Sequence, residues 1–223
     1  YNTKKPVPIS DVIAALQGLE GILRSVPQVV SGLTGVEIDH TAFNLQAIES
    51  GSLIEDIVVQ FFFKDRAGLD AFIAKAGGNA KVKGTVIAVA IAGVVGYGLH
   101  WATAKAPQPA PNITANNNVI ITIGAAEMQM TPEQFTAIVR SAVESKKDAA
   151  QNAIRLMAPA RSDPSSSLDL NARTQPGGPK LEISPAAIAE TPKRLDLPKN
   201  ERTMDISNAV VEIRASDRDS KKT

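Results

Sequence analysis

Cysteine is absent from the 223 residues, which removes disulfide staples, thiolate nucleophiles and cysteine zinc sites together and leaves the redox compartment open. Histidine is almost as scarce. His40 and His100 are the two in the chain, and neither has a companion at metal-ligand spacing. Aromatic residues make up 4%, and Phe61, Phe62 and Phe63 place half of the six phenylalanines side by side. Neither sign of charge dominates: 24 basic against 23 acidic side chains give a formal net charge of +1, so no nucleic acid or acidic partner is expected. No glycine-rich loop runs into Lys and Ser or Thr to cradle phosphate, and no nucleophile elbow occurs. Asp39 beside His40, and Glu55 beside Asp56, are the polar pairs inside apolar elements, and neighbours along a strand are expected to point to opposite faces. The sequence therefore reads as non-enzymatic, with no catalytic, cofactor-binding or metal-ligating residue to name.

What is present is one long uncharged run. Twenty-one residues, 84–104, separate Lys83 from Lys105, and none carries a formal charge when His100 is neutral. As a helix rising about 1.5 Å per residue they span roughly 30 Å, the thickness of a bilayer's hydrocarbon core. Tyr97 and Trp101 toward one end, with Lys83 and Lys105 at the flanks, suit membrane-interface anchors. The expectation is a transmembrane helix over 84–104. The competing reading starts from the run's alanine and glycine content and from Val86, Ile87, Val89 and Ile91, which suit strands. It makes the run a buried helix, or the strand pair TVIAVAIAG and VVGYGLHW, inside a soluble protein.

Gly84, Ala88, Ala92 and Gly96 recur at four-residue intervals. Such a row lets two helix backbones approach closely, so it is expected to be an oligomerisation face, and His100 continues it. The implied partners are further copies of the chain and the lipid bilayer. Lys64, Arg66, Lys75, Lys81 and Lys83 precede the run, whereas Lys105 alone follows it within about twenty residues, an asymmetry that places the N-terminal part in the cytoplasm if the run spans. The alternative localisation is soluble.

Around the run, periodicity alternates. Ile9, Val12, Ile13, Leu16, Leu19, Leu23 and Val26 line one side of a helix with Ser10 as N-cap, weakened by Gly18 and Gly21 and ended or kinked by Pro27. It is expected to cover a sheet, or to pack on a sister subunit. Residues 53–63 carry apolar side chains on both faces of a strand, which is thus expected to be covered on both sides. Residues 43–48 read as its hairpin partner across ESGS, and AGLDAFIAKAG returns to helix. APQPAPN is a proline linker. NNNVIITIGA is expected to be a strand after an asparagine turn, and Asn112, Ile113 and Thr114 form a glycosylation sequon, a match common by chance. Residues 131–157 read as one long amphipathic helix, opened by a capping box of Thr131 and Gln134 with Pro132 at the first position. PARSDPSSSLDLNARTQPGGPK has the composition of a disordered linker and is expected to be held by a partner surface. SPAAIAETP makes a short helix capped by Ser184. MDISNAVVEIRA makes a last strand whose partner is residues 119–123, another subunit, or residues outside this sequence. The start at Tyr1 and the stop in ASDRDSKKT are what a portion of a longer polypeptide would show.

The sequence thus predicts an α+β chain. A small helix, β-hairpin and helix domain occupies 1–80, a transmembrane helix 84–104, a strand plus long amphipathic helix 105–160, a proline-rich linker with a short helix 161–200, and a C-terminal strand with a charged tail 201–223. The function expected is a non-enzymatic single-span membrane protein that self-associates into a multimeric assembly acting as pore, scaffold or effector. The alternative is a soluble homo-oligomeric structural or interaction module whose apolar run is buried between subunits. The extended C-terminal region offers a surface to another protein.

Overall fold

Pro8 and Pro27 set the first two elements. In the computed structural model, which describes residues 1–49, 54–76, 80–104, 110–170 and 181–195, α1 runs Ile9–Leu23 with Pro8 at its N-cap position. Ser10 therefore lies inside the first turn and is not the cap. The helix stops at Arg24, and α2, Val26–Thr34, restarts with Pro27 in its first turn, where proline's missing N–H costs nothing. Gly35, at φ 69°, ends α2 in the left-handed conformation that glycine adopts freely.

The hairpin follows, β1 at His40–Glu49 and β2 at Ile54–Phe62, antiparallel with His40 opposite Phe62 and Leu45 opposite Ile57. A register shift between Leu45 and Ala47 places one extra residue, Gln46, in β1. Helix α3, Arg66–Ala76, opens on Asp65, whose side chain accepts from the Gly68 N–H at 2.8 Å. Its buried Phe72 meets Phe61 at 5.7 Å and Phe63 at 5.1 Å between ring centroids. One face of β2 is thus roofed by α3. The other face is open: Val58 keeps 38% and Phe62 40% of its surface exposed, so the expected cover on both sides is not there.

Helix α4, Ala80–Thr103, is the axis of the rest. It settles the secondary structure of the apolar run: one helix and no strand pair. It is long and apolar enough from Gly84 to Thr103 to cross a bilayer by length and composition. It is also wrapped by protein. Val86, Ala88, Val89, Ala90, Ala92, Val94, Val95 and Leu99 are all buried, against α1, α2, α5 (Pro111–Glu127), α6 (Pro132–Ala142) and α7 (Lys146–Leu156). Helix α1 lies chiefly on α7 and not over a sheet, and α2 lies on α4 and α6. The first eighty residues therefore share the core of the following ones.

Two departures concern 110–157. Residues 119–123 are not a strand; they sit within α5, whose buried Ile113, Ile120 and Gly124 share a helical face. Residues 131–157 are two helices. The capping box of Thr131 and Gln134 opens α6 as expected, but α6 stops at Val143, and Ser145 caps α7 by accepting from the Asp148 N–H at 3.2 Å. The break re-phases the apolar stripe: Phe135, Val139 and Ala142 face inward from α6, and Ala149, Ala150, Ala153 and Ile154 from α7. A 3-10 turn, Ala158–Ala160, leads to the two-residue pair β3, Leu168–Asp169, and β4, Glu182–Ile183, and then to α8, Pro185–Glu190, capped by Ser184 as expected. The linker composition of 161–170 hides buried Ser166, Ser167 and Leu168. The expected strand in MDISNAVVEIRA lies outside the described residues. The described chain is mixed helix and strand, broadly α+β, with most of its core supplied by helices.

Candidate functional site

Small residues make the helix contacts close. A Cβ on Gly18 of α1 would stand 2.5 Å from the Asn152 carbonyl oxygen of α7, and one on Gly98 of α4 would stand 2.5 Å from that of Ala149. Helix α7 is thus gripped on two sides by backbone. Gly93 of α4 and Gly124 of α5 form a notch filled by Phe135, which is fully buried.

This packing places the expected oligomerisation face inside the chain. Ala88, Ala92 and Gly96 are buried and Gly84 is half-buried, and the space over Gly96 is filled by Asn117 and Ile120 of α5. A second copy could use that row only by displacing α5. Of the expected interface anchors, Tyr97 and Trp101 are half-buried and meet edge to face at 6.4 Å. The Lys146 ammonium of α7 sits 4.3 Å over the Trp101 ring, a cation–π contact that gives this tryptophan a protein partner. Lys83 falls in the first turn of α4, and Lys105 lies outside the described residues. His100, exposed in the last turn of α4, lies 6.4 Å from Trp101.

The asparagines have structural work. Asn116 donates to the Glu182 carbonyl at 3.2 Å and accepts from the Ser184 N–H at 2.8 Å, holding β4 against α5. Asn112 begins α5. Its N–H and that of Ile113 both reach Glu190 Oε2 at 3.0 Å, and its side-chain amide donates to Glu190 Oε1 at 2.6 Å. A carboxylate from α8 thus satisfies the open N–H groups of α5 and complements its dipole. The sequon asparagine is engaged in this cap, and no asparagine turn occurs.

At the other end, Asp163 anchors the N-terminal arm. It accepts from the Lys4 N–H at 2.8 Å and from both the hydroxyl, at 2.8 Å, and the N–H, at 3.0 Å, of Ser165. The Lys4 N–H first, and then Ser165, hold its carboxyl down at about 2. Asn2 bridges Ser167, and the Tyr1 hydroxyl donates to the Leu156 carbonyl at 2.8 Å. Arg161 donates to the carbonyls of Ile154 at 2.5 Å and Pro192 at 3.2 Å. Burial pushes its guanidinium below its ordinary value, with Asp11 pulling the other way. Sequence patterns do not mark Asp163 or Arg161, because the Lys4 N–H and the Pro192 carbonyl that they hold lie far away along the chain.

Among the described residues, a cleft and the hairpin surface are candidates for function. A cleft of about 650 Å³ opens between α1–α2 and α6–α7, walled by Glu20, Arg24, Gln28, Glu144 and Asp148 with Asn152 against Gly21. Glu20 and Arg24 pair across one helical turn at 2.6 Å with both side chains largely in solvent. The walls are polar and of mixed sign, and no histidine lines the cleft. The second surface is the hairpin. Asp39 and His40 do converge, correcting the expectation of opposite faces: Asp39 precedes β1, so strand alternation does not separate them, and Oδ2 lies 2.9 Å from Nδ1. The His40 ring stacks flat on Phe62, 4.1 Å between centroids. Among the described residues no three His, Asp or Glu side chains gather as a metal site.

Fold and surface together define a helical bundle built around an apolar axis, with a β-hairpin projecting from one end. No protein-family model matches the chain, and no curated protein or solved structure matches it either.

Proposed function

We propose that the chain is a non-enzymatic, soluble, self-associating interaction module. In this reading α4 is the core helix of the bundle and the β-hairpin is the adhesive surface. The burial of α4 by helices of the same chain carries the reading. A helix apolar on all sides needs either lipid or a surrounding core, and here α1, α2, α5, α6 and α7 surround it. Charged side chains on those helices, among them Glu20, Arg140 and Lys147, remain exposed, as suits a bundle in water. The hairpin supports the second half of the reading. Two strands alone are marginal, and this pair keeps Leu45, Val58 and Phe62 substantially exposed.

A second reading keeps the single-span membrane assembly, and the length and composition of Gly84–Thr103 favour it. Detergent-free sedimentation followed by light scattering separates the two. The proposed module stays in the supernatant at a mass above 23.5 kDa. A protein that pellets with membranes and needs detergent for release refutes it in favour of the span.

A further inference from the structure

We propose that α4 and α5 leave the bundle together, as one helical hairpin, and enter a lipid bilayer, so that the chain has a soluble form and an inserted form. The inference goes beyond the reading above. It takes the soluble bundle as its starting state and does not need self-association.

Charge is missing from the whole of this pair and not from α4 alone. From Gly84 to Ala126 the sequence holds one Lys and no Arg, Asp or Glu, although charged residues are 21% of the chain. That residue, Lys105, lies in sequence between the two helices. The helices run antiparallel, because Gly96 of α4 meets Asn117 of α5 while Gly124 of α5 meets Val89 of α4. The start of α4 and the finish of α5 therefore lie toward the same end of the pair. Lys64, Arg66, Lys75, Lys81 and Lys83 precede it, and Arg140, Lys146 and Lys147 follow it. Entry as a hairpin keeps all of these on one side of the membrane and carries a single Lys across, as the distribution of basic residues in membrane proteins favours. A lone span by α4 would instead carry every later residue across.

The pair also satisfies polar groups from within, which hydrocarbon requires. On α5 the exposed hydroxyls of Thr114 and Thr122 donate to the Ala110 and Asn118 carbonyls at 3.2 and 2.8 Å, and on α4 that of Thr103 donates to the Leu99 carbonyl at 3.1 Å. Asn117 packs on Gly96 in the seam between the helices, a place where an amide holds membrane helices together. The surrounding helices are of another kind. Glu20, Glu133, Arg140, Lys147 and Asp148 are exposed on α1, α6 and α7, whose apolar stripes face inward. Amphipathic helices of this sort rest on a core or on a membrane surface. The hydrogen bonds that tie α5 to later elements join Asn112 and Ile113 to Glu190, and Asn116 to Glu182 and Ser184. All sit in its first two turns, and water replaces them on release.

The test uses the detergent-free full chain, vesicles of phosphatidylcholine and phosphatidylglycerol, and two variants of matched exposure. Val119, 55% exposed, is the middle residue of α5, and Ile13, 51% exposed, lies on α1. Val119→Lys puts a charge at the centre of a helix that must enter lipid, and Ile13→Lys adds the same charge outside the hairpin. Vesicle flotation is read together with the emission of Trp101, the one tryptophan of the chain. The parent and Ile13→Lys are expected to float, with Trp101 quenched by lipids brominated along the acyl chain. Val119→Lys should lower the ratio of bound to free chain by about a hundredfold, the effect of one Lys at the centre of a membrane helix. Circular dichroism in buffer confirms that this variant folds, and Thr122→Lys, also exposed on α5, replaces it if it does not. A parent that stays unbound, or that binds with Trp101 unquenched, overturns insertion and leaves the soluble reading standing. So does a Val119→Lys chain that floats like the parent, or an Ile13→Lys chain that loses binding equally. A parent that needs detergent from the outset overturns insertion and the soluble reading together.

Discussion

Replacing Phe135 by alanine tests whether α6 really closes over α4. The ring is fully buried, and its Cζ lies 3.0 Å from the place of a Cβ on Gly93 and 2.8 Å from that on Gly124. The two glycines offer no side chain to fill the hole, and Val139 and Val89, which border it at 2.9 Å and 3.1 Å from those Cβ positions, are β-branched and have little χ1 freedom with which to close it. Phe→Ala in a core costs about 3–5 kcal/mol, and poor relaxation favours the upper part of that range. Folding free energies of roughly 5–15 kcal/mol make this a large fraction of the total. With a urea m-value of about 2–3 kcal/mol/M, the midpoint should fall by about 1–2.5 M. Circular dichroism at 222 nm in detergent-free buffer reads the shift. Phe62→Ala, on the open hairpin face, serves as the control and should move stability by no more than about 1 kcal/mol. A Phe135→Ala midpoint within about 0.3 M of the parent would refute the reasoning, because a helix α4 housed in lipid would not depend on this ring.

Three further outcomes follow from other contacts. Asp163 has its carboxyl lowered from an ordinary 3.8 to about 2, so its stabilisation is present above pH 4 and is lost as pH falls through about 2. Amide exchange at Thr3 and Lys4 should speed up across that interval, and Asp163→Asn should speed it already at neutral pH; an unchanged arm would contradict the assignment. Glu190→Ala should cost about 0.5–2 kcal/mol, as loss of an N-cap does, and accelerate exchange at Asn112 and Ile113, whereas unchanged exchange there would deny the cap. Gly98→Val should overpack the α4–α7 crossing by about 1–3 kcal/mol or more and lower Tm by roughly 2–4 °C for each of these, a loss that an unaltered melting curve would rule out.

Local signals were the legible part. The hairpin followed from two-residue alternation around ESGS, α6 from Thr131 and Gln134, and α8 from Ser184 with Pro185. Each device acts within four residues. What misled was apolar content without its surroundings. VIITI has strand chemistry, yet it is helical because Ile113, Ile120 and Gly124 pack on α4 and because Glu190, 78 residues from Asn112, caps the helix. The break at Val143 was readable in Ser145 and Asp148, but a continuous apolar stripe concealed it. The same holds for the glycine and alanine row: spacing revealed that close backbone approach occurs on α4, and only the fold assigned α5 as the occupant at Gly96. The staples at Asp163 and Arg161 left no sequence mark, since both serve main-chain groups that become neighbours only after folding.

The grip of α7 between Gly18 and Gly98 also bears on how the protein is made. Asn152 is translated 134 residues after Gly18, and at about 5–20 residues per second the gap is roughly 7–27 s. During part of that interval α4 is outside the ribosome while the helix that covers its C-terminal half is still unsynthesised. At that point α1 and α2 are already made, but the side of α4 that α6 and α7 cover has no partner yet. The fate of α4 at that moment is a race between elongation and capture by a chaperone or membrane-targeting factor.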